Sequence, residues 1–150
     1  FEYNWTDHRI YKHKFPINDY YSHNQPLGYW AGPHAEELLL QYQYGLNTYQ
    51  IYLTLSNVKR GAITEEMIYN KYHDIEDKRL NANPGYEQKS LLKFNVRKDL
   101  KIKDLSVEIG VDWIQWENAG FDIFNPDLNS VKDINKISMN TAIFYNFIFD

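Results

Sequence analysis

The chain has 150 residues, a formal net charge of -4 and no cysteine, and 17% of its residues are aromatic. The lack of cysteine excludes a disulfide scaffold and thiolate chemistry, and the acidic balance gives no electrostatic basis for binding nucleic acid. No apolar run approaches the roughly 18 residues of a transmembrane helix, but β-strands cross membranes with only every second residue apolar.

Alternation of apolar and polar residues predicts six β-strands. The first covers residues 1–6, and residues 7–36 then form a long ordered loop rich in aromatic residues and proline. Residues 37–44 and 49–56 are predicted to form a hairpin around a tight turn at 45–48, with Tyr44 opposite Tyr49.

Residues 57–90 are predicted to form a second long loop. Within it, Thr64 as N-cap, followed by Glu65 and Glu66, predicts a short helix that ends near Asp74. Residues 91–98 and 105–113 form the next strand pair, joined by a turn at 99–102. A third long loop covers residues 117–135, and residues 137–149 form the last strand.

The strand at 105–113 alternates without interruption, with apolar Leu105 to Trp113 at odd positions and polar residues at even positions. A soluble sheet would pack such an apolar face on a core, whereas a membrane barrel places it against lipid and the polar face towards a wet lumen.

On that polar face, four charged residues are predicted to line the lumen. With Phe94 opposite Val107, charges of opposite sign face each other across the strands: Lys93 with Glu108, and Arg97 with Asp104. Asp112 is the fourth predicted lumen-lining residue. Mutual neutralisation across strands is the favoured interpretation, and a solute path is the alternative.

Two patterns favour the membrane interpretation. Three long loops alternate with two short turns, as in outer-membrane barrels. Aromatic residues also fall near the predicted membrane boundaries: Tyr42, Tyr44, Tyr49, Tyr145, Phe147 and Phe149 at one end, and Trp113 and Trp116 at the other.

Because such barrels have at least about eight strands, we expect residues 1–150 to be the C-terminal portion of a single larger barrel domain. The predicted fold class is therefore all-β, an antiparallel transmembrane β-barrel of the outer-membrane type. Its expected partners are outer-membrane lipid and the missing N-terminal part of the barrel or other outer-membrane proteins.

A loop phrase carries a family resemblance. Pro26-Leu27-Gly28 is followed by Gly32-Pro33-His34-Ala35-Glu36-Glu37-Leu38 and then by a strand. This resembles the C-terminal region of the Wzi-type capsule assembly proteins of Gram-negative outer membranes, although His34 replaces the expected Asn and Glu36 the expected Asp. The resemblance implies a large barrel that binds exported capsular or exopolysaccharide and helps to organise it at the cell surface, without enzymatic activity.

The same loop supplies the candidate carbohydrate contacts, Tyr29, Trp30, His34 and Glu36. The alternative is that these residues only hold the loop in place. The five histidines have no metal-ligand spacing, and nucleotide-binding and hydrolase motifs do not occur in the sequence.

We therefore predict no metal, no cofactor and no enzyme. Three hypotheses remain: a polysaccharide-binding outer-membrane barrel, a porin-like or transporter barrel for solutes, and a soluble β-barrel that binds a ligand.

Overall fold

The fold is seen in a computed structural model of the chain, which describes residues 1–7, 21–22, 25–26, 31–69, 80, 85–102, 104–126 and 132–145. These residues form strands and one short helix, with the following bounds: β1 Glu2–Thr6, β2 Tyr21–Ser22, β3 Gln25–Pro26, β4 Ala35–Leu46, β5 Tyr49–Gly61, α1 Glu65–Tyr69, β6 Tyr86–Asp99, β7 Leu105–Ala119 and β8 Lys132–Tyr145. No helix in the described ranges is long and apolar enough to cross a membrane.

Six strands form one antiparallel sheet in the order β1-β4-β5-β6-β7-β8, and β2 and β3 form a separate small pair. The sheet is not closed, since β1 and β8 are its two edges. The prediction of an all-β, antiparallel fold is confirmed at this level.

The connections between the six strands follow the predicted alternation. The long connections, residues 7–34, 62–85 and 120–131, join strand ends at one end of the sheet, which we call the loop end. The short connections, residues 47–48 and 100–104, lie at the opposite, hairpin end.

The strands extend further towards the loop end than the sequence pattern predicts. β5 has 13 residues and β7 has 15, so they continue beyond the predicted ends at Ser56 and Trp113. Near the loop end the apolar face also carries polar side chains, namely Lys59, Gln88 and Glu117. The hydrophobic period therefore ends there while the backbone pairing continues. The last predicted strand begins earlier, at Lys132, and its residues 146–149, with Phe147 and Phe149, lie outside the described residues.

The predicted register of the first hairpin is wrong by two residues. Tyr44 lies opposite Ile51, and Leu46 lies opposite Tyr49. The strand continues through Gly45 to Leu46, and the turn is the pair Asn47-Thr48, where Asn47 adopts a φ of 53°. Because the shift is an even number of residues, the predicted faces are preserved.

The predicted register of β6 against β7 is also wrong. Phe94 lies opposite Val111 and not opposite Val107, because β6 continues to Asp99, which pairs with Ser106. Alternation fixes only the parity of a strand pair, whereas turn geometry fixes its register. The odd positions of β7 therefore share a face with the apolar side chains of β6, as expected.

The helix begins as predicted, with Thr64 as its cap. The Thr64 hydroxyl accepts a hydrogen bond from the Met67 amide at 3.3 Å, and Glu65 and Glu66 occupy the first turn. The described helix ends at Tyr69; the predicted continuation to Asp74 lies outside the described residues.

The register of the sheet defines two faces. The apolar face consists of Leu40, Tyr42, Tyr44 and Leu46 of β4, Tyr49, Ile51, Leu53 and Leu55 of β5, Leu92, Phe94 and Val96 of β6, Leu105, Val107, Ile109, Val111 and Trp113 of β7, and Ile137, Met139, Ile143 and Tyr145 of β8. The polar face is the opposite one. It carries Glu37, Gln41, Thr54, Lys93, Asn95, Arg97, Glu108, Asp112, Ser138 and Asn140.

The apolar face is not covered by another element of the described part of the chain. Leu55, Phe94 and Ile109 belong to three interior strands, yet they are 42%, 43% and 53% exposed. In a soluble sheet these positions would lie in the core. Among the described residues, therefore, the apolar face has no covering layer.

The buried apolar side chains lie instead near the loop end of the sheet. They are Ala31, Ala35, Val58, Ala62, Ile63, Ala119 and Phe121. Ala31, Ala35 and Val58 form one cluster, so the buried core of the described residues is small and lies at the loop end.

Backbone hydrogen bonds tie the long connections together over this cluster. The Ala62 amide donates to the Gly85 carbonyl at 3.0 Å, and the Ile63 amide donates to the Ile123 carbonyl at 2.7 Å. Phe121 packs on Gly85, where an added Cβ would lie 2.9 Å from the phenyl ring. These hydrogen bonds and this contact therefore hold both ends of the second long connection against the start of the third.

Thr6 fixes the base of the first long connection. Its buried hydroxyl donates to the Gly32 carbonyl at 2.7 Å and accepts from the Ala35 amide at 3.1 Å. Burial makes both bonds matter, because a backbone group left without a partner there loses its solvation without compensation.

We predict that Thr6→Val lowers the free energy of unfolding by about 2–3 kcal/mol, because the isosteric side chain leaves two buried backbone groups unpaired. Urea unfolding of the protein refolded in detergent measures this change. Thr54→Val, on the open polar face, is the matched control and should change stability by less than about 0.5 kcal/mol. Equal effects of the two substitutions would contradict the role assigned to Thr6.

Candidate functional site

Two of the four predicted carbohydrate contacts, His34 and Glu36, lie among the described residues. Tyr29 and Trp30 lie outside the described residues. His34 is fully buried. Glu36 is half-buried in β4, at a register position between Trp5 of β1 and Lys59 of β5. Its neighbour Glu37 faces the other side of the sheet, as expected for adjacent strand residues.

His34 holds the start of β4 against the end of β5. Its Nδ1–H donates to the Ala62 carbonyl at 2.7 Å, and its own carbonyl accepts from the Gly61 amide at 2.9 Å. Its φ of 53° is in the left-handed region, which few non-glycine residues adopt. His34 is thus a structural residue with no surface for a glycan in this arrangement.

The four predicted lumen-lining residues lie together on the polar face. Their cross-strand partners differ from those predicted: Lys93 lies opposite Asp112, and Arg97 lies opposite Glu108. The predicted partners Glu108 for Lys93 and Asp104 for Arg97 are wrong because the register is shifted. The observed register still juxtaposes opposite charges, and it now uses all four residues.

Polar side chains of three strands meet above Gly110. Asn95 Nδ2 donates to Glu108 Oε1 at 2.9 Å, and Asn140 Nδ2 donates to Asp112 Oδ2 at 3.4 Å. Gly110 lies opposite Asn95 on one side and Asn140 on the other. A Cβ at Gly110 would overlap Asn95 Oδ1 and lie 2.5 Å from Asn140 Oδ1. The glycine therefore provides the space in which the two amides lie.

A second polar group lies on the same face near the loop end. Arg60 forms a salt bridge with Glu87, which is itself buried. The indole N–H of Trp116 donates to Glu87 Oε1 at 2.6 Å, and the Lys89 ammonium lies 5.0 Å from the centre of the Trp116 ring. We call Arg60, Glu87, Lys89 and Trp116 the indole cluster.

The prediction that Trp116 belongs to an aromatic belt on the apolar face is wrong. Trp116 lies opposite Lys89 and Ile134, on the polar face, because an even position of β7 faces away from Trp113. Trp113 does lie on the apolar face near the loop end, where its N–H donates to Asn135 Oδ1 at 2.7 Å. Parity along the strand was the signal that separates these two residues.

A groove follows the polar face beside the indole cluster. One cavity of about 170 Å³ is lined by the cluster together with Ala31 and Val58. A second cavity of about 360 Å³ continues along β4, β5 and β6 and shares Val58 and Lys89 with the first. The shared residues make the two cavities neighbouring parts of one surface, which we call the polar groove.

The polar groove combines apolar and polar lining. Leu39, Val58 and Leu91 contribute aliphatic surface, while Thr54 and Ser56 contribute hydroxyl groups. Sequence reasoning missed this site because its members lie on four strands and because four of them, Val58, Arg60, Glu87 and Lys89, fall in a segment predicted to be a loop. The extended strand bounds bring them together.

The described residues contain no cluster of three or more histidine or acidic side chains able to hold a metal ion. Outside the sheet, hydrogen bonds from the Asn125 side chain and the Phe124 amide lower the pKa of Asp122 below its ordinary value of 3.8. The stability that this turn gains is therefore present at neutral pH and is lost as the pH falls below that value.

Comparison of the chain with known protein families, curated proteins and solved structures finds no match. The resemblance to capsule assembly proteins therefore remains a prediction from the loop phrase before β4.

We predict that Gly110→Ala destabilises the protein by about 1–3 kcal/mol, because the added methyl group displaces the Asn95 and Asn140 amides and breaks their bonds to Glu108 and Asp112. Gly45→Ala is the control, since its added Cβ has no atom within 4 Å. Thermal unfolding of both variants measures the difference. A Gly110→Ala protein as stable as Gly45→Ala would contradict the packing described above.

Proposed function

We propose that this chain supplies six membrane-spanning strands of an outer-membrane β-barrel whose function is to attach or assemble polysaccharide at the cell surface. The observation that carries the membrane part is the uncovered apolar face. Exposure of an apolar face of this size to water is unfavourable. Lipid chains would cover all of these apolar side chains.

The dimensions of the apolar face support a bilayer setting. From Leu105 to Trp113 the strand rises about 26 Å, which a barrel tilt near 40° reduces to about 20 Å. Polar side chains follow at both ends, with Lys59, Gln88 and Glu117 towards the loop end and Lys98 at the hairpin end, 4.9 Å from the Tyr49 ring. An apolar band between two polar rims is what a bilayer selects.

Aromatic side chains at the rims support the same setting. Tyr44, Tyr49 and Tyr145 lie on the apolar face near the hairpin end. Trp113 lies on the same face near the loop end, and its N–H donates to the polar side chain of Asn135. Amphipathic rings are favoured where hydrocarbon meets water. In this arrangement the short hairpins face the periplasm and the long connections face the outside.

The open edges of the sheet imply further strands. β1 pairs with β4 only from Ala35 to Leu39, and β8 carries Ile137, Met139 and Ile143 at exposures of 68%, 77% and 74%. Unpaired edge strands are aggregation-prone in water and impermissible in lipid. We infer that both edges pair with other strands, either of the same protein or of another outer-membrane protein.

The polysaccharide part of the proposal is supported by the loop phrase that resembles capsule assembly proteins and by the polar groove at the loop end. The alternative of a solute channel is less well supported, because the charged residues of the polar face lie opposite partners of the other sign and Asn95 and Asn140 lie over Gly110. Such a filled polar face favours a packed lumen over an open one.

The experiment is a deletion of the gene in its encapsulated host, with cell-attached and released polysaccharide measured separately. We expect the attached fraction to fall and the released fraction to rise, with total synthesis unchanged. The protein itself should fractionate with the outer membrane and require detergent to remain folded and monodisperse.

Three outcomes would contradict the proposal. A protein that stays folded and monomeric without detergent would exclude the membrane setting and favour a soluble ligand-binding barrel. Steady open-channel conductance in planar bilayers would favour a porin-like barrel. An unchanged amount of attached polysaccharide in the deletion strain would remove the proposed role at the surface.

A further inference from the structure

We propose that the polar groove is a binding subsite for an anionic saccharide, with Trp116 as the stacking platform and Lys89 and Lys93 as the partners of sugar carboxylates. This inference rests on the proposed function and deepens it, because it moves the binding site from the loop residues to the polar face of the sheet and states the charge class of the sugar.

The platform is held in place before any ligand arrives. The Trp116 N–H is bound to the buried carboxylate of Glu87, and Arg60 holds the same carboxylate from the other side. An indole fixed in this way loses little conformational freedom on binding, so more of the contact energy contributes to affinity. The apolar C–H face of a pyranose ring matches the flat indole surface.

The charge expected of the ligand follows from which charged groups of the groove already have partners within the protein. Glu87 is neutralised by Arg60, and Glu37 is buried with the Ser56 hydroxyl donating to it at 3.4 Å. Within the described residues, the ammonium groups of Lys89 and Lys93 form no salt bridge, and Lys93 is exposed. The groove therefore presents two ammonium groups outside any salt bridge, and of the two only Lys93 has a carboxylate, Asp112, opposite it in the register.

The distance between these two ammonium groups fits an extended saccharide with several carboxylates and not a single small anion. Lys89 and Lys93 are four positions apart on β6, which corresponds to about 13 Å along the strand. Aliphatic and hydroxyl groups line the groove between them, including Leu91 of the same strand and Thr54 and Ser56 of β5. This alternation of apolar surface and hydrogen-bonding groups suits several linked sugar rings.

The neighbouring Asp112 is not among the residues that line the groove. It lies opposite Lys93 in the register, but its Oδ2 accepts from Asn140 on the far side, at 3.4 Å. Across the groove lining, Arg60, Lys89 and Lys93 outnumber Glu37 and Glu87. The lining residues thus carry one more positive than negative charge although the chain as a whole is acidic, and this contrast favours a carboxylate-bearing ligand at this position.

The test is calorimetric titration of the detergent-solubilised full-length protein with two acidic probes, a hexagalacturonate and a hyaluronan hexasaccharide. The methyl-esterified hexagalacturonate is the uncharged counterpart. We expect an acidic probe to bind at least about tenfold more tightly than the esterified one, with affinity that falls as salt is raised.

Matched variants on the two faces locate the site. Lys89→Gln with Lys93→Gln, and separately Trp116→Leu, should each weaken binding by about tenfold or more. Lys98→Gln and Trp113→Leu should weaken it by less than about twofold. These controls lie on the same strands but on the apolar face, where Lys98 also lies over an aromatic ring and Trp113 also donates to a side-chain oxygen.

No binding of either acidic probe, equal binding of the esterified probe, or equal loss in the apolar-face controls would overturn the inference. If the deletion strain nevertheless releases its polysaccharide, the proposed function stands and the contact lies elsewhere. If the groove binds acidic saccharide but the deletion strain keeps its polysaccharide attached, the subsite stands and the surface role fails. Unchanged electrophoretic heat-modifiability of each variant shows that it is folded.

Discussion

A sheet with one apolar and one polar face needs a different environment on each side, and this requirement governs the whole molecule. Within the described chain neither face is packed against a second layer, so the sheet lacks the sandwich core that stabilises soluble β-proteins. Interior side chains such as Phe94 and Ile109 are about half exposed. Stability must therefore come from backbone pairing, from the loop-end cluster and from whatever contacts the apolar face.

The loop end explains how such a sheet keeps a defined form. Thr6 and His34 fasten the first long connection to β4 and β5, and Ala62 and Ile63 bind the second to itself and to the third. Small residues dominate the core here because backbone segments approach one another closely. The polar groove adjoins this fixed end, since Val58 belongs to both the core and the groove lining.

The sequence predicts which face of the sheet a strand residue occupies, but it does not predict which residues lie opposite each other on neighbouring strands. Period-two alternation correctly assigns Val107 and Glu108 to opposite faces, because that assignment depends on parity alone. It does not predict that Arg97 pairs with Glu108, because turn geometry sets the register. The indole cluster was not predicted for a related reason. Where polar residues occur on both faces, the alternation of apolar and polar residues ends. The sequence pattern therefore predicts a loop at Glu87, although this residue lies within β6.

Because the chain has no cysteine, single cysteines along β7 can test its two-faced character directly in lipid vesicles. We predict that fluorophores attached to cysteines at Val107, Ile109 and Val111 are quenched by brominated lipid chains, and that these cysteines resist water-soluble thiol reagents. Cysteines at Glu108 and Asp112 should show the reverse pattern. Uniform reaction with the water-soluble reagents at all five positions, without lipid quenching, would contradict a membrane-spanning sheet.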